Sequence, residues 1–308
     1  MEKKISVLIP VINEEKKIER CLQAVFEQTM KPLEIILIDG HSTDNTIEKA
    51  QKFDVKILFE NYHTRAGACQ IGLENAKGDF VAFTDADCIP DRNWLMNLIQ
   101  EFDEGIVGVG GGIKNIGESS WEKSINLATN TFLGSARSVQ GRLFNDKRYV
   151  FSISGCNSAY RKDDLLKVRG FNVSLSTAED TDLNRKLLKN GKLLYTPYAI
   201  VLHNHKRGLN AFGKRMYQYG YGRGKSKIWD IQVAPPIIIP IIIISLIFTP
   251  WIFLVSVVSY SIILMIFGFY FALKEKNFIY LASIPMVYLI EHSLYAIGLW
   301  KGLLNIKG

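Results

Sequence analysis

From Val233 to Leu273 the chain carries no Asp, Glu, Lys or Arg, and a second apolar stretch runs from Phe278 to Trp300. Hydrocarbon offers backbone N–H and C=O groups no water, so apolar stretches of this length fold as helices that bond internally and cross a bilayer. The tail has room for about three spans, near 233–251, 254–273 and 278–300, with a tight reversal at Thr249-Pro250. Pro235, Pro236 and Pro240 disturb the first of them, so an interfacial or re-entrant segment remains an alternative there. Glu291 and His292 fall in the last stretch, where ionisable groups hint at function unless they are paired or neutral.

Immediately before the tail, residues 206–227 hold Lys206, Arg207, Lys214, Arg215, Arg223, Lys225 and Lys227 with no acidic residue, a patch equal to the whole formal charge of +7. Phe212, Tyr217, Tyr219 and Tyr221 interleave with it. The segment 206–232 reads as a basic amphipathic surface resting on anionic membrane lipids, and the adjacent anchor argues against nucleic acid. The charged loop "KEKN" at 274–277 returns to the same side, as the excess of positive charge on cytoplasmic loops requires.

The first 205 residues have a different texture. "KISVLIP", "LEIILID", "VKILFE" and "DFVAFTD" are buried-strand patterns, separated by helical spacings such as Ile18, Cys21, Leu22, Val25 and Phe26, for which Asn13 is a candidate cap. Repeated β-α-β units with short connections give an α/β domain, a mostly parallel sheet with helices on both faces. Farther along, "GIVGVGGGI" and "YVFSISG" read as strands, Trp121 to Arg142 and Glu179 to Asn190 as helices, and "KLLYTPYAIVLH" as a strand ending at His203. The opening run from Ile5 to Pro10 is too short for a signal peptide. This domain is therefore expected to stay in the cytoplasm, and Cys21, Cys69, Cys88 and Cys156, which form no C-x-x-C pair, suit a reducing compartment.

Open α/β sheets bind ligands at the carboxyl ends of their strands. Asn13 and Glu14, Asp39, and Asp85 with Asp87 each follow a strand end, so they gather along one edge. Asp85 and Asp87 are expected to project differently around the corner where the strand ends: one carboxylate suits a divalent cation, Mg²⁺ or Mn²⁺, while the other orients a sugar or ribose hydroxyl. Such a cation bridges to substrate phosphates and stabilises a departing diphosphate.

These residues resemble glycosyltransferase family 2, which has the GT-A fold. The resemblance lies in "VLIPVINEE" at 7–15, "IDGHSTDNT" at 38–46, "NAKGDFVAFTDAD" at 75–87, "SGCNSAYRKDDLLKVRGF" at 154–171 and "AEDTDLNRKLLKNGKLLYTP" at 178–197. It implies a nucleotide-sugar-binding domain in which Pro10, Ile12, Asn13 and Glu14 cradle base and ribose and Asp39 accepts from the uracil or guanine ring. Arg65 contacts the nucleotide. Asp85, with Ala86 beside it, meets the ribose or donor sugar, and Asp87 meets the metal, joined by His203. The Glu179-Asp180 pair matches the motif whose aspartate is the general base on the acceptor hydroxyl; acids at a helix start also favour the macrodipole.

The resemblance therefore implies a multi-pass membrane enzyme, its catalytic domain cytoplasmic, that transfers sugar with inversion from a UDP- or GDP-sugar to a hydroxyl of a lipid-linked saccharide. A polyprenyl-phosphate acceptor or a noncatalytic nucleotide-sugar-binding protein are the alternatives. "RMYQYGYGRG" at 215–224 departs from the Q-x-x-R-W motif of processive relatives, which argues against polymer synthesis.

Overall fold

The computed structural model describes residues 3–136, 138–139, 143–175, 177–203, 208–227, 229 and 231–304. Among residues named above, Arg142, Lys206 and Arg207 lie outside them. The chain divides into two compact units, Met1–Asn115 with Ser138–Asn204, and Ile116–Arg137 with His205–Gly308. The N-terminal part is thus not continuous: residues 116–137 group with the tail.

The first unit is built on a nine-stranded sheet. Its strands β1 (Ile5–Val11), β2 (Glu34–Asp39), β3 (Lys56–Phe59) and β4 (Phe80–Thr84) pair in parallel in the order β3-β2-β1-β4. The helices α1 (Ile18–Phe26), α2 (Thr46–Ala50) and α3 (Arg65–Asn75) form the crossovers. Side chains alternate along β1 with a period of two. Ile5, Val7, Ile9 and Val11 pack with Ile18, Cys21, Leu22 and Val25 of α1 on one face, while Leu8 packs with Ala66, Cys69 and Leu73 of α3 on the other. Asn13 does not cap α1; it sits at φ 53°, and Lys17 occupies the N-cap without a side-chain bond.

Beyond β4 the sheet is mixed. Three residues, Asp85, Ala86 and Asp87, separate β4 from β5 (Cys88–Pro90), too few for a parallel crossover, so β5 leaves and pairs antiparallel with β9 (Lys192–His203). The helix α4 (Trp94–Ile99) follows, then β6 (Ile106–Asn115), which runs parallel to β9. After the excursion into the second unit come β7 (Arg148–Val150), antiparallel to β9, and β8 (Asn157–Arg161), antiparallel to both β4 and β6. The expected strand "YVFSISG" is a strand only as far as Val150. The central strand lies later, where polar Asn157 and Ser158 hide it from a hydrophobic pattern. Asn157 is fully buried because its amide is saturated: it donates to Gly112 O and Ala199 O at 2.9 Å and accepts from Trp94 Nε1 at 2.8 Å. Gly111 leaves room for it, since a Cβ there would stand 2.7 Å from the Asn157 amide.

In the second unit the expected helix from Trp121 is two, α5 (Ser120–Thr129) and α6 (Phe132–Ser135). Thr131 ends the first and caps the second by accepting from Gly134 N, and a capping box of Ser119 and Glu122 starts α5. In the first unit, α7 (Lys162–Lys167) and α8 (Glu179–Leu187) precede β9. The tail then holds α9 (Leu209–Lys225), α10 (Ala234–Phe248), α11 (Pro250–Lys274) and α12 (Tyr280–Leu303). Among the described residues three helices, Ile231–Phe248 (α10 with a preceding 3-10 turn), α11 and α12, are long and apolar enough to cross a membrane. Pro240 sits inside α10 without ending it. Within the basic segment, Arg223 is buried and bonded to Gln232 Oε1, so it is not a headgroup contact, whereas Lys214, Lys225 and Lys227 are exposed.

Candidate active site

The carboxyl ends of β1, β2 and β4 deliver the residues in question. At the end of β2, Asp39 is fully buried; its Oδ1 accepts from Ser42 Oγ at 2.5 Å and its Oδ2 from Ser42 N at 2.8 Å. At the end of β1, Asn13 N donates to Ser42 Oγ and Asn13 Oδ1 accepts from Thr43 N, both at 2.8 Å. Glu14 N donates to Thr46 Oγ1, also at 2.8 Å. The loops after β1 and β2 are thereby tied into one rim, with Pro10 buried beneath it and Ile12 left 57% exposed. An exposed apolar side chain on a polar rim is a surface on which a planar ring can lie.

At the end of β4 the two aspartates do part. Asp85 Oδ1 receives Arg65 Nη2 at 2.6 Å and Nε at 3.2 Å. The third guanidinium nitrogen, Nη1, donates to Glu179 Oε1 at 2.7 Å, so Arg65 from the start of α3 bridges Asp85 to the start of α8. Gly155 makes room for this fork, because a Cβ there would lie 2.6 Å from Arg65 Nη1. Burial raises the pKa of Glu179 from its ordinary value, Arg65 opposes the shift and Asp180 adds to it. Arg65 is thus engaged by two carboxylates at once.

Asp87 turns the other way. Its Oδ1 lies 3.2 Å from His203 Nε2 and its Oδ2 lies 3.8 Å from Lys17 Nζ, which also pairs with Glu14 at 3.0 Å. Sheet register explains the meeting: Cys88 pairs with His203 across β5 and β9, and Asn115 pairs with His203 across β6 and β9. Asn115 Oδ1 lies 3.2 Å from His203 Nδ1, which fixes the ring and leaves Nε2 facing Asp87. Asp87, Cys88 and His203 are all buried and offer ligand atoms within 4.8 Å of one another. Ala86 between the aspartates is buried at 3% exposure.

Asp180 is half-buried, beside Glu179 but differently held. Its Oδ2 accepts from Gly155 N at 3.2 Å and its Oδ1 from Thr181 N at 2.7 Å. The preceding Ala178 has φ 62°, a left-handed turn that starts α8 abruptly. Among the participants not singled out from sequence are Lys17, Ser42, Asn115 and Gly155. Of these only Ser42 lay in a quoted strand-end motif with a carboxylate to serve; the others depend on register and on distant loops.

Sheet, loops and carboxylates together define a GT-A glycosyltransferase domain. Over 100% of this chain and 89% of the other, the fold matches a mannosyltransferase from Pyrobaculum calidifontis solved with GDP-Man and Mn²⁺, at a TM-score of 0.65 and 18% identity. Residues 6–169 match the family described as Glycosyl transferase family 2, and the chain belongs to that family. The chain is 28% identical, over 99% of its length and 98% of the relative's, to the dolichyl N-acetyl-alpha-D-glucosaminyl phosphate 3-beta-D-2,3-diacetamido-2,3-dideoxy-beta-D-glucuronosyltransferase of Methanococcus voltae. It is 30% identical, over 58% of each chain, to the GalNAc(5)-diNAcBac-PP-undecaprenol beta-1,3-glucosyltransferase of Campylobacter jejuni.

Proposed function

We propose that this membrane-anchored family 2 enzyme transfers a sugar from a UDP- or GDP-sugar to a hydroxyl of a lipid-linked saccharide at the cytoplasmic face, with inversion at the anomeric carbon. The observation that carries the choice of a hydroxyl acceptor is the split between Glu179 and Asp180. Glu179 is consumed by Arg65 in a buried pair, while Asp180 is half-buried and accepts from the backbone N–H groups of Gly155 and Thr181 rather than from that guanidinium. A lipid phosphate is already ionised and needs no base; a sugar hydroxyl does. The two relatives above bear names of enzymes that extend a lipid-linked sugar.

The donor's base lies on the rim of Pro10, Ile12, Asn13 and Asp39, and Glu14 and Lys17 continue that rim toward Asp87. Asp85, anchored by Arg65, orients the ribose or donor sugar. Asp87 and His203 fit a divalent cation: a hard carboxylate oxygen beside an imidazole nitrogen whose partner nitrogen is already engaged, a donor set compatible with Mn²⁺ and, less readily, Mg²⁺. When bound, the ion supplies positive charge against the leaving diphosphate. Asp180 takes the acceptor's proton as its oxygen bonds to the anomeric carbon, and the bond from that carbon to the nucleotide diphosphate breaks on the opposite face. Glu179 is a positioning residue that fixes the first turn of α8.

The test is a screen of nucleotide sugars with the full chain in membranes and lipid-linked saccharides as acceptors, read by mass of the lipid product. A saccharide lengthened by one sugar is the expected result. Sugar attached directly to the lipid phosphate, or binding of donor with no transfer from any of them, contradicts it.

A further inference from the structure

We propose that only α10 and α11 cross the bilayer and that α12 is a platform helix at the membrane surface, ending on the side from which α10 begins. The surface that meets the acyl chains is then a single helical hairpin.

Three consecutive spans alternate in direction. A crossing α12 would bring its last turn beside the turn at Thr249, across the membrane from the first turn of α10. Instead Trp300, in the last turn of α12, donates from Nε1 to Pro236 O at 2.8 Å, and Pro236 lies in the first turn of α10. Those first and last turns of α10 are separated by ~22 Å at 1.5 Å per residue, most of a hydrocarbon core of about 30 Å. The end of α12 therefore lies at the entry end of α10.

The neighbours of α12 agree. Helix α9 runs parallel to it in intimate contact: a Cβ on Gly220 would run into Tyr295 O, one on Gly224 into Leu299 O, one on Gly298 into Tyr217 O and one on Gly302 into Tyr221 O. Helix α9 bears exposed Lys214 and Lys225. On another side, Ser124 of α5 bonds Ser283 at 2.7 Å and Thr131 bonds Tyr288 at 2.8 Å, while Leu133 O meets His292 Nε2 at 3.1 Å. On these sides α12 is flanked by helices with charged residues that hydrocarbon excludes at about 2.5–3.5 kcal/mol per Lys or Arg, while α11 packs along its first half, with Tyr260 Oη 2.8 Å from His292 Nδ1. Its most apolar window is 39% buried, against 11% for the windows of the other two candidates.

Charge gives a third, independent argument. A two-span hairpin leaves the uncharged turn at Thr249-Pro250 on the far side and puts Lys214, Arg215, Lys225, Lys274, Lys276 and Lys301 all on one side, as the positive-inside rule demands. With three spans Lys301 and Lys307 would both lie on the far side. Eighteen residues from Ile231 to Phe248 reach ~27 Å, enough to span with α11 as the return. The exposed stripe of Met286, Leu289, Ile297 and Trp300 is the face α12 turns to the membrane surface.

The experiment places single cysteines by Thr249→Cys, Asn277→Cys and Leu304→Cys in the full chain, whose four native cysteines are buried, and labels sealed vesicles of known orientation with a membrane-impermeant maleimide. The proposal expects Leu304→Cys to react from the same side as Asn277→Cys, and Thr249→Cys from the other. Reaction of Leu304→Cys together with Thr249→Cys overturns it. A second measurement fuses a side-specific reporter before residue 1 or after residue 308 of the otherwise unaltered chain. The same side for both supports the hairpin; opposite sides overturn it. Neither readout depends on transferase activity, so failure here leaves the catalytic reading standing.

Discussion

The two units solve the same problem with opposite materials. In the first, apolar side chains turn inward on both faces of a sheet, and buried charges such as Glu179 and Asp87 are held by Arg65, His203 and Lys17. In the second, α10 and the first half of α11 turn Ile238, Ile241, Ile247, Trp251, Leu254 and Val255 outward, and the close contacts are backbone to backbone through Gly220, Gly224, Gly298 and Gly302. Water makes burial of apolar surface the driving force in the first; along α10 and α11, where acyl chains replace water, that force is absent, and between α9 and α12 the glycines let two backbones approach directly. Substitutions should therefore damage the units by different physics.

The largest effect is expected at the reacting edge of the first unit. Asp180→Asn should lower transfer about 10²–10⁴-fold while leaving nucleotide binding intact, checked by product formation against calorimetric binding of UDP or GDP. Next is Arg65→Ala, which strands Glu179 as an unpaired buried carboxylate. Its cost should be about 3 kcal/mol, the lower end for a broken buried pair, because the Arg65 side chain is 26% exposed. Because the folded-state pKa of Glu179 is raised above its ordinary 4.5, the variant's deficit should be smallest below that pH, where the carboxyl is neutral in both states. It should widen as pH rises through the folded-state value. Denaturant titrations across that window check the sign, and a constant deficit would detach Arg65 from Glu179.

In the second unit, Gly298→Ala should destabilise by about 1–3 kcal/mol, since its new methyl has only the α9 backbone at Tyr217 to displace, read as loss of thermal stability in detergent with nucleotide binding retained. The smallest effect should come from Ser119→Ala, which opens the capping box of α5 at a cost of about 1 kcal/mol. If Gly298→Ala proved neutral while Ser119→Ala did not, the contrast between side-chain and backbone packing would fail.

How much of this the sequence disclosed follows from how local each feature is. The strands β1, β2 and β4 are continuous apolar runs, and their ends carry Asn13, Asp39, Asp85 and Asp87, so the reactive edge was legible. Strand β8 was not, because Asn157 and Ser158 are buried by hydrogen bonding rather than by hydrophobicity. The engagement of Arg65 with Glu179, 114 positions away, exists only through the fold. Asn13 fits a helix cap in sequence, yet its side chain reaches Thr43 in a neighbouring loop instead. The excursion of residues 116–137 into the second unit has no composition signal, since α5 has the ordinary look of a half-buried helix. Helix α12 is the sharpest case: length and hydropathy mark it as a span, while its glycines and its bond to Pro236 tie it to the entry side.

A divalent ion held by Asp87 and His203 against the donor's diphosphate is the feature on which the proposed chemistry rests. Its most direct measurement is the electron paramagnetic resonance signal of free Mn²⁺ titrated with the full chain in the presence of UDP or GDP. Wild type should deplete the free signal at one ion per chain, and Asp87→Ala and His203→Ala should each restore it while the nucleotide rim stays folded. Equal depletion by wild type and Asp87→Ala would contradict the account.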